Sequence, residues 1–390
     1  MRILFILHFP PPVHGSSMVG GLIRDSRLIN ESFDCRYINL GTSSSVEEIG
    51  RNPLGKLIRY LKLIWQVKKE LISNRPELCY MTISSNGSGF YKDALIVMLV
   101  RLFGVRRIYH FHNKGVSTRQ DRFFDNLLYQ MVFKNADVIL LSKHLYHDIQ
   151  KYVPQERVHY CPNGIPDGKG LRAQSAGQDE EGTGHRAQGT GQEDIAPSLH
   201  RSLSPSQTTE ILFLSHLIIS KGLLLLIDAC AILKDRGVDF HCTIAGGDAE
   251  MKITEVASIV AEKGLSFVIT VAGPKHGEKK AELMRSADIF VHPSYNDCLP
   301  LVLIEAMQYS LPIVSTPEGA IPDVVKDNVT GFLVPQKDAI ALADKLEILI
   351  KKPNFRNTMG AAGRLKYERE FTLERFEKTM VEILEEVGSR

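Results

Sequence analysis

Residues 288–307 read DIFVHPSYNDCLPLVLIEAM and contain a strand, a loop and a helix in direct succession. The apolar run DIFVHPS has the length and composition of a buried strand that ends at Ser294. Pro300 suits the first turn of a helix, and LVLIEAM continues that helix. A carboxylate, Glu305, lies inside this apolar helix, eight residues after Asp297. The stretch predicts a buried parallel strand followed by a loop that carries chemistry.

The same alternation of strands and helices runs through both halves of the chain. The strand-like runs include RILFIL, LCYMTI, RIYHFH and DVILLS in the first half, and EILFLS, FHCTIAG, FVITVAG and PIVST in the second. Strand–helix repetition predicts parallel sheets covered on both faces. Because 390 residues exceed one ordinary core, we expect an α/β chain of two doubly wound, Rossmann-like domains facing a cleft. Ligands of such sheets bind at the carboxyl ends of the strands.

A low-complexity segment separates the two halves. Residues 168–209 are rich in Gly, Ser, Gln and Thr and lack the apolar side chains that would offset the entropy of ordering. The sequence therefore predicts an N-terminal domain at 1–167, a disordered linker insertion at 168–209 and a C-terminal domain at 210–390. The final helical stretch, YEREFTLERFEKTMVEILEEV, is expected to pack back across the domains.

Composition excludes several classes of protein. With 44% apolar and 24% charged residues, the chain has the composition of a soluble globular protein. No uninterrupted apolar run reaches the ~18–20 residues of a membrane span, and the N-terminus is too short and wrongly flanked for a secretory signal. The six cysteines form no C-x-x-C pair and no metal spacing, which argues against disulfides or zinc. A cytoplasmic protein is expected.

Charge is unevenly distributed along the chain. Residues 1–165 carry 22 Lys and Arg against 13 Asp and Glu, or +9, whereas residues 211–390 carry 21 against 25, or −4. The basic half favours an anionic surface or substrate, but it is too diffuse to indicate nucleic acid. The predicted helix at 55–72 is basic, amphipathic and holds the only tryptophan. An anionic membrane surface and ordinary packing as a surface helix explain it equally well.

Two segments of the second half suit a phosphorylated ligand. The unpaired backbone amides of Leu301, Val302 and Leu303, at the start of the predicted helix LVLIEAM, are a favourable seat for phosphate. Glu305, just over one turn inside, should meet either a cation or ligand hydroxyls. In ILFLSHLIISKGLLLL, Lys221 stands at the start of a helix, where a cation opposes the helix dipole unless an anion binds there. A diphosphate would satisfy both segments.

The first half offers a glycine turn and a pair of histidines. Gly15 and Ser16 follow the first strand in a phosphate-tolerant turn, but the G-x-G-x-x-G pattern is missing, which disfavours a nicotinamide enzyme. His110 and His112 alternate along one strand, and Asn113 follows in the loop. Such groups can hydrogen-bond substrate hydroxyls or move protons, although one histidine of the pair can equally be a core residue. A metal site at this pair is disfavoured because no third ligand lies nearby in the sequence.

These motifs together resemble the GT-B glycosyltransferases of family four. The stretch SYNDCLPLVLIEA aligns without a gap to the family pattern S-x-x-E-G-F-G-x-x-x-x-E-A. The resemblance implies that Glu305 binds the nucleotide ribose and that Asp297 faces the donor sugar. SHLIISKG aligns with G-R-L-x-x-x-K-G, which makes Lys221 the diphosphate ligand and puts His216 in the place of an arginine.

The resemblance extends to the first half. HGSS corresponds to the glycine loop near the phosphates, so Gly15 and Ser16 are predicted to bind donor. HFHN corresponds to the family's histidine loop, which implies a catalytic His112 with His110 and Asn113 on the acceptor side. Leu301 and Val302 are predicted to contribute amides to the donor site.

The resemblance implies a retaining hexosyltransferase that moves a sugar from a UDP-sugar to a glycan or lipid-linked acceptor in cell-surface polysaccharide synthesis. It also implies a C-terminal helix that crosses back, no cofactor, no metal and no nucleic acid partner. Location in the cytoplasm, peripherally at the inner face of the membrane, would suit the basic helix.

Three departures from the family pattern bear on this expectation: the shorter acid at Asp297, His216 in place of arginine, and CLP at 298–300 in place of G-F-G. Because an imidazole carries less charge than a guanidinium, reduced turnover or altered donor choice would follow. Two other functions stay open, namely a non-hydrolysing UDP-sugar epimerase and a non-catalytic subunit that binds nucleotide-sugar.

Overall fold

Two parallel sheets of six strands each organise the chain. The computed structural model describes residues 1–11, 15–41, 53–168 and 208–390. In these ranges the first sheet contains β1 Arg2–Leu7, β2 Asp34–Asn39, β3 Leu78–Thr82, β4 Arg106–Phe111, β5 Asp137–Leu140 and β6 Val158–Tyr160. The second contains β7 Thr209–Leu214, β8 Phe240–Ala245, β9 Ile269–Val271, β10 Ile289–His292, β11 Ile313–Ser315 and β12 Gly331–Leu333.

Helices connect the strands of both sheets. In the first half they are α1 Gly15–Asp25, α2 Arg27–Ser32, α3 Pro53–Ser73, α4 Gly87–Leu102 and α5 Phe123–Phe133. In the second half they are α6 Leu223–Asp235, α7 Ile253–Glu262, α8 Gly277–Ser286, α9 Leu301–Gln308, α10 Ile321–Val324, α11 Ala339–Lys351, α12 Pro353–Glu370 and α13 Leu373–Ser389. Short 3₁₀ helices cover Lys143–Asp148, Gln155–Arg157 and Ile219–Lys221.

The strand order explains why ligand-binding loops meet. The first sheet has the order β2-β1-β3-β4-β5-β6 and the second the order β12-β11-β10-β7-β8-β9. In each sheet the strands that follow in sequence are added first on one side and then on the other. The strand order reverses between β1 and β3 in the first sheet and between β7 and β10 in the second. Loops that leave the carboxyl ends of two strands at such a reversal diverge and open a crevice. The loops after β7 and β10 carry Lys221 and Asp297, so this crevice lies between them.

Burial on both faces accounts for the apolar strands. All five residues of β3 and all four of β10 are buried, as expected of central parallel strands. The predicted α/β architecture of two doubly wound, Rossmann-like domains is confirmed. The predicted domain limits at 167 and 210 stay a prediction, and the insertion at 168–209 lies almost wholly outside the described residues.

The last helix packs on the first sheet rather than on its neighbours in sequence. Buried side chains of α13, among them Phe376, Met380 and Leu384, lie in one apolar cluster with Ile3 and Phe5 of β1. The side-chain hydroxyl of Thr372 accepts a hydrogen bond from the first turn and begins the helix. The predicted return of the C-terminal helix is thus observed, and it joins the two ends of the chain.

Candidate active site

The carboxyl ends of the two sheets face each other across a cleft. Lys114, in the loop after β4, contacts the Glu318 carboxylate in the loop after β11. Ser142, which follows β5, donates a hydrogen bond from its hydroxyl to the carboxylate of Asp323 in the short helix α10. Both contacts join the first sheet to the second at their carboxyl edges. The cleft between the sheets is therefore lined by the loops in which the sequence analysis placed the functional residues.

A left-handed glycine brings Lys221 to the cleft. Gly222 has φ = 81° and stands between the 3₁₀ turn that ends at Lys221 and the first residue of α6. A Cβ atom at this position would lie 2.1 Å from the main-chain oxygen of Pro293. Only glycine combines this φ with so close a contact. The lysine is thereby held against the loop that follows β10.

Lys221 and Asp297 form the charged centre of the site. Lys221 Nζ lies 2.8 Å from Asp297 Oδ2 and donates to the Asn296 main-chain oxygen at 3.1 Å. The same carboxylate oxygen lies 3.0 Å from Nε2 of His292, the last residue of β10. Burial raises the pKa of Asp297, but the His292 hydrogen bond and the nearby Lys221 charge outweigh burial and lower it to about 2. Asp297 is therefore a permanent anion at neutral pH.

The first turn of α9 adjoins this charged centre. Leu301 and Val302 are the first two residues of the helix, directly after Pro300, so their amides have no acceptor within the helix. The third amide, that of Leu303, bonds to the Pro300 oxygen at 3.1 Å. Two amides, rather than the three expected from the sequence, are therefore oriented as helix N-terminal donors. Both follow the Asp297 loop by only a few residues.

Glu305 differs from the expectation of a fully buried acid. Its side chain is about one-quarter exposed, at 24%, and its Oε1 lies 2.6 Å from Lys280 Nζ. The sequence predicted either a cation or ligand hydroxyls as the partner of Glu305, and the structure contains a cation, Lys280. Lys280 belongs to α8, so this ion pair joins α8 to α9 near the donor-side crevice.

The other residues that the sequence predicted to bind donor follow β7 and β1. His216 follows β7 and is exposed. Nδ1 of its ring lies 3.7 Å from the position that a Cβ atom on Gly247 would occupy. Gly15 is the first residue of α1, and Ser16 is half-buried in its first turn. The three residues before Gly15 in the glycine loop lie outside the described residues.

On the acceptor side, the structure corrects the prediction for His110. This side chain is fully buried, and its Nδ1 is hydrogen-bonded to the Tyr80 hydroxyl at 2.6 Å. Burial, with a smaller effect of His112, holds the pKa of His110 well below its usual value. His110 is thus a neutral core residue that an acceptor cannot touch, because its ring lies beneath the surface of the sheet edge.

His112 and Asn113 lie nearer the cleft. The His112 ring is half-buried and packs against the His110 ring, with centroids 4.2 Å apart and the ring planes tilted by 40°. Asn113 is exposed, but its Oδ1 accepts a hydrogen bond from the Ser85 amide at 2.9 Å. Asn113 therefore ties the loop after β4 to the loop after β3.

Four residues of the site were not predicted from the sequence: Lys114, Lys280, His292 and Glu318. Lys114 directly follows the HFHN motif, and Glu318 comes two residues after the predicted strand PIVST. His292 ends a strand that the sequence predicted correctly. Lys280 carried no local signal, since it is one of several charges on a polar helix. Among the described residues, no group of three or more His, Cys, Asp or Glu side chains could hold a metal ion.

Comparison with known proteins agrees with this geometry. Residues 197–366 match the family described as "Glycosyl transferases group 1". The chain is 35% identical over 189 residues to the amylovoran biosynthesis glycosyltransferase AmsK of Erwinia amylovora, covering 47% of this chain and 46% of that protein. It is 28% identical over 246 residues to the putative colanic acid biosynthesis glycosyltransferase WcaL of Salmonella typhimurium, covering 60% and 53%. The matches thus span about half the length of these relatives.

Solved structures of other glycosyltransferases share the fold of the described residues. HepE of Anabaena, solved in complex with UDP and glucose, superposes with a TM-score of 0.67 at 16% identity and covers 99% of this chain and 100% of its own. At this identity the likeness concerns the fold alone. By sequence, residues 197–366 are similar to the group 1 glycosyl transferases, and the described residues have the GT-B fold of two Rossmann-like domains.

Proposed function

We propose that this protein is a retaining glycosyltransferase that transfers a sugar from a UDP-sugar to a glycan or lipid-linked acceptor in cell-surface polysaccharide synthesis. The observation that carries the proposal is the contact of Lys221 with Asp297 beside the amides of Leu301 and Val302. Similarity to the amylovoran and colanic acid enzymes supports a polysaccharide product. The UDP bound to HepE supports the choice of nucleotide.

The donor would be held by charge and by helix-terminal amides. Lys221 is partly exposed, at 20%, so a diphosphate can approach its Nζ from the cleft while Asp297 stays on the other side. The two amides of α9 and the turn at Gly15 and Ser16 would bind further phosphate oxygens. Glu305 would accept hydrogen bonds from the ribose hydroxyls, with Lys280 holding the carboxylate in place.

Catalysis would rest on stabilisation of the departing diphosphate. In a retaining transfer of this kind, the bond to the acceptor forms on the face from which the leaving group departs. The group that develops most charge is UDP, and Lys221 with the α9 amides would stabilise it. Asp297 would face the donor sugar and His112 the acceptor, while His216 would add charge near the phosphates in its protonated form.

The Lys221→Ala enzyme tests the role of protein charge in place of metal. We expect transfer from a UDP-sugar to survive excess chelator, because the leaving diphosphate is neutralised by Lys221 and amides. Removing the lysine should lower kcat by roughly 10²-fold or more, the scale for losing a main stabiliser of developing charge. Glu305→Ala should instead weaken UDP binding, measured by calorimetry.

A matched control is Lys234→Ala, which removes an exposed lysine at the far end of α6 and should leave transfer unchanged. Chelator-sensitive activity that magnesium or manganese restores would refute the assignment of the diphosphate site. The anomeric configuration of the product, read by NMR, decides between retention and inversion. Turnover of a UDP-sugar without acceptor would indicate an epimerase, and UDP binding without any transfer would indicate a binding subunit.

We also propose that α3 places the protein on an anionic membrane surface. No helix among the described residues is long and apolar enough to span a bilayer. One face of α3 packs inward through Leu63, Val67 and Leu71, while Leu61 and Trp65 are exposed on another face, the tryptophan by 61%. A packed surface helix would not need this second apolar face. Exposed lysines on the same helix suit anionic headgroups.

A further inference from the structure

One ion pair crosses the cleft beside the donor site. Lys114 Nζ contacts Oε1 of Glu318, although the two residues are 204 positions apart and belong to different domains. The Glu318 side chain is only 11% exposed and that of Lys114 27%. A carboxylate buried to this degree is costly without a cation or several donors. Glu318 therefore depends on the first domain for its neutralisation.

Glu318 also contacts the loop that carries Asp297. The Oε1 atom that meets Lys114 lies 3.4 Å from the main-chain nitrogen of Asp297. The other oxygen, Oε2, accepts from Gln336 Nε2 at 2.9 Å. One carboxylate thus joins the loops after β4, β10 and β12.

The backbone fastens residues 316–323, which carry Glu318, to the Asp297 loop. Ala320 N donates to the Cys298 oxygen at 2.6 Å, and the Thr316 hydroxyl donates to the Ser294 oxygen. Gly319 has φ = 54°, and a Cβ there would lie 2.3 Å from the Asp297 oxygen. The 316–323 segment and the Asp297 loop consequently pack as one unit.

The same segment meets the first domain at a second point. Asp323 accepts the Ser142 hydroxyl through Oδ2, and its Oδ1 lies 3.4 Å from Nε2 of His144. Both contacts require the carboxyl edges of the two sheets to be close together. Separation of the domains would break both contacts and leave the Glu318 carboxylate without its cation.

We propose that Lys114 is a positioning residue for the donor site, supplied across the cleft by the acceptor-side domain. Lys114 neutralises Glu318 and so holds the 316–323 segment in place when the two domains are closed. That segment in turn holds the Asp297 loop. Asp297 is then in place to face the donor sugar only in the closed enzyme. The inference deepens the proposed function and rests on it for the role of Asp297.

Hydrogen exchange of the full-length protein tests the structural part without any assay of activity. We expect Lys114→Met to speed amide exchange in peptides from residues 294–303 by about threefold or more, because that loop loses a tertiary contact. Lys114→Arg should restore the wild-type rates. The matched control is Lys151→Met, since Lys151 lies in the same domain and its described contacts are with Gln120 and the Tyr152 ring of that domain.

Kinetics and UDP binding test the functional part. Lys114→Met should lower kcat by about 10-fold, the cost of a slightly misplaced group, with recovery in Lys114→Arg. UDP affinity should fall less than kcat, because Lys221 and Glu305, two of the proposed UDP ligands, do not contact Lys114 in the described contacts. Glu318→Gln should give a similar loss of kcat, and Lys114→Met with Glu318→Gln should be no worse than either change alone.

Two results would overturn the inference. One is unchanged exchange at 294–303 in Lys114→Met, and the other is additive losses in the double variant. Absence of transfer by the wild-type protein with every UDP-sugar tried would instead refute the proposed function. In that case the exchange rates still decide whether Lys114 holds the Asp297 loop.

Discussion

Two carboxylates in this protein show how the partners of a buried acid set its charge. Asp297 has a lysine and an imidazole within 3.0 Å, and its pKa is lowered to about 2. Asp93 is 5% exposed and accepts a hydrogen bond from the Ser84 amide at 2.7 Å. Burial is the main influence on the pKa of Asp93 and raises it to about 6. The hydrogen bonds from Ser84 lower the pKa and offset this effect only in part.

Asp93→Asn should flatten the pH dependence of stability. Because the pKa of Asp93 is raised from 3.8 to about 6, the folded state binds this proton more tightly than the unfolded state. The resulting stabilisation is complete below pH 3.8 and is lost as pH rises through about 6. The shift corresponds to roughly 3 kcal/mol in the free energy of unfolding. An asparagine can accept the Ser84 bond without this loss.

Denaturant unfolding at several pH values from 4 to 7 measures the slope. The control is Asp121→Asn, which alters an exposed aspartate and should keep the wild-type slope. An unaltered slope in Asp93→Asn would mean that other groups govern the pH dependence in this range.

At the scale of single elements, α3 is unusual because it presents two apolar faces. The inward face anchors the helix to the first core through Leu63, Val67 and Leu71. The outward face exposes Leu61 and Trp65 next to charged side chains. A helix anchored on one side and apolar on the other can enter a lipid interface without unfolding the domain.

Reversing the charge of α3 should weaken binding to anionic vesicles. The change is Lys62, Lys68 and Lys69 to Glu, all exposed in the structure. Each lysine near the surface contributes about 1 kcal/mol of attraction, so affinity should fall steeply at low salt and less as salt screens the wild type. Trp65→Ser should weaken binding at every salt concentration, because its contribution is apolar.

The control has the same net charge with the changes placed elsewhere: Lys234, Lys326 and Lys352 to Glu, exposed positions of the second half. Vesicle co-sedimentation reports binding for all variants. Equal loss in both triple variants would indicate an effect of overall charge and count against α3 as the contact surface.

At the scale of the whole molecule, the chain's last helix belongs to its first domain. Phe376 is 2% exposed and packs among the residues of β1. The main-chain oxygens of Val387 and Gly388 accept bonds from Arg106, at the start of β4. The C-terminal helix therefore completes the core of the first domain, although the last strand of that domain, β6, ends more than two hundred residues before this helix begins.

Phe376→Ala should destabilise the first sheet rather than the second. A phenylalanine removed from a core typically costs 3–5 kcal/mol, which should appear as faster amide exchange in β1 and β3. The comparison variant is Leu346→Ala, which opens a cavity in the second core and should speed exchange in β7 and β8. Loss of protection in the second sheet of Phe376→Ala would show that α13 supports that domain instead.

Much of the fold followed from local pattern, because strand and helix periodicities are properties of neighbouring residues. The apolar runs predicted nine of the twelve described strands, all but β2, β6 and β12, and the parallel arrangement put the loops that follow them at one edge of each sheet. Lys221 and the helix start near Leu301 could be assigned to one phosphate site from sequence for that reason, whereas the contact of Lys221 with Asp297 is seen only in the structure. The helix start near Leu301 followed from Pro300 and the apolar run, although one of the three expected amides is used by the helix itself.

The tertiary structure decided what local pattern does not encode. The cation beside Glu305, the imidazole that holds Asp297 and the burial of His110 each depend on segments that meet only when helices and strands pack. Lys114 and Glu318 are the extreme case, since an ion pair between residues 204 apart leaves no periodic signal in either segment. The sequence by itself determined which loops reach the cleft, whereas packing determined which side chains in those loops meet.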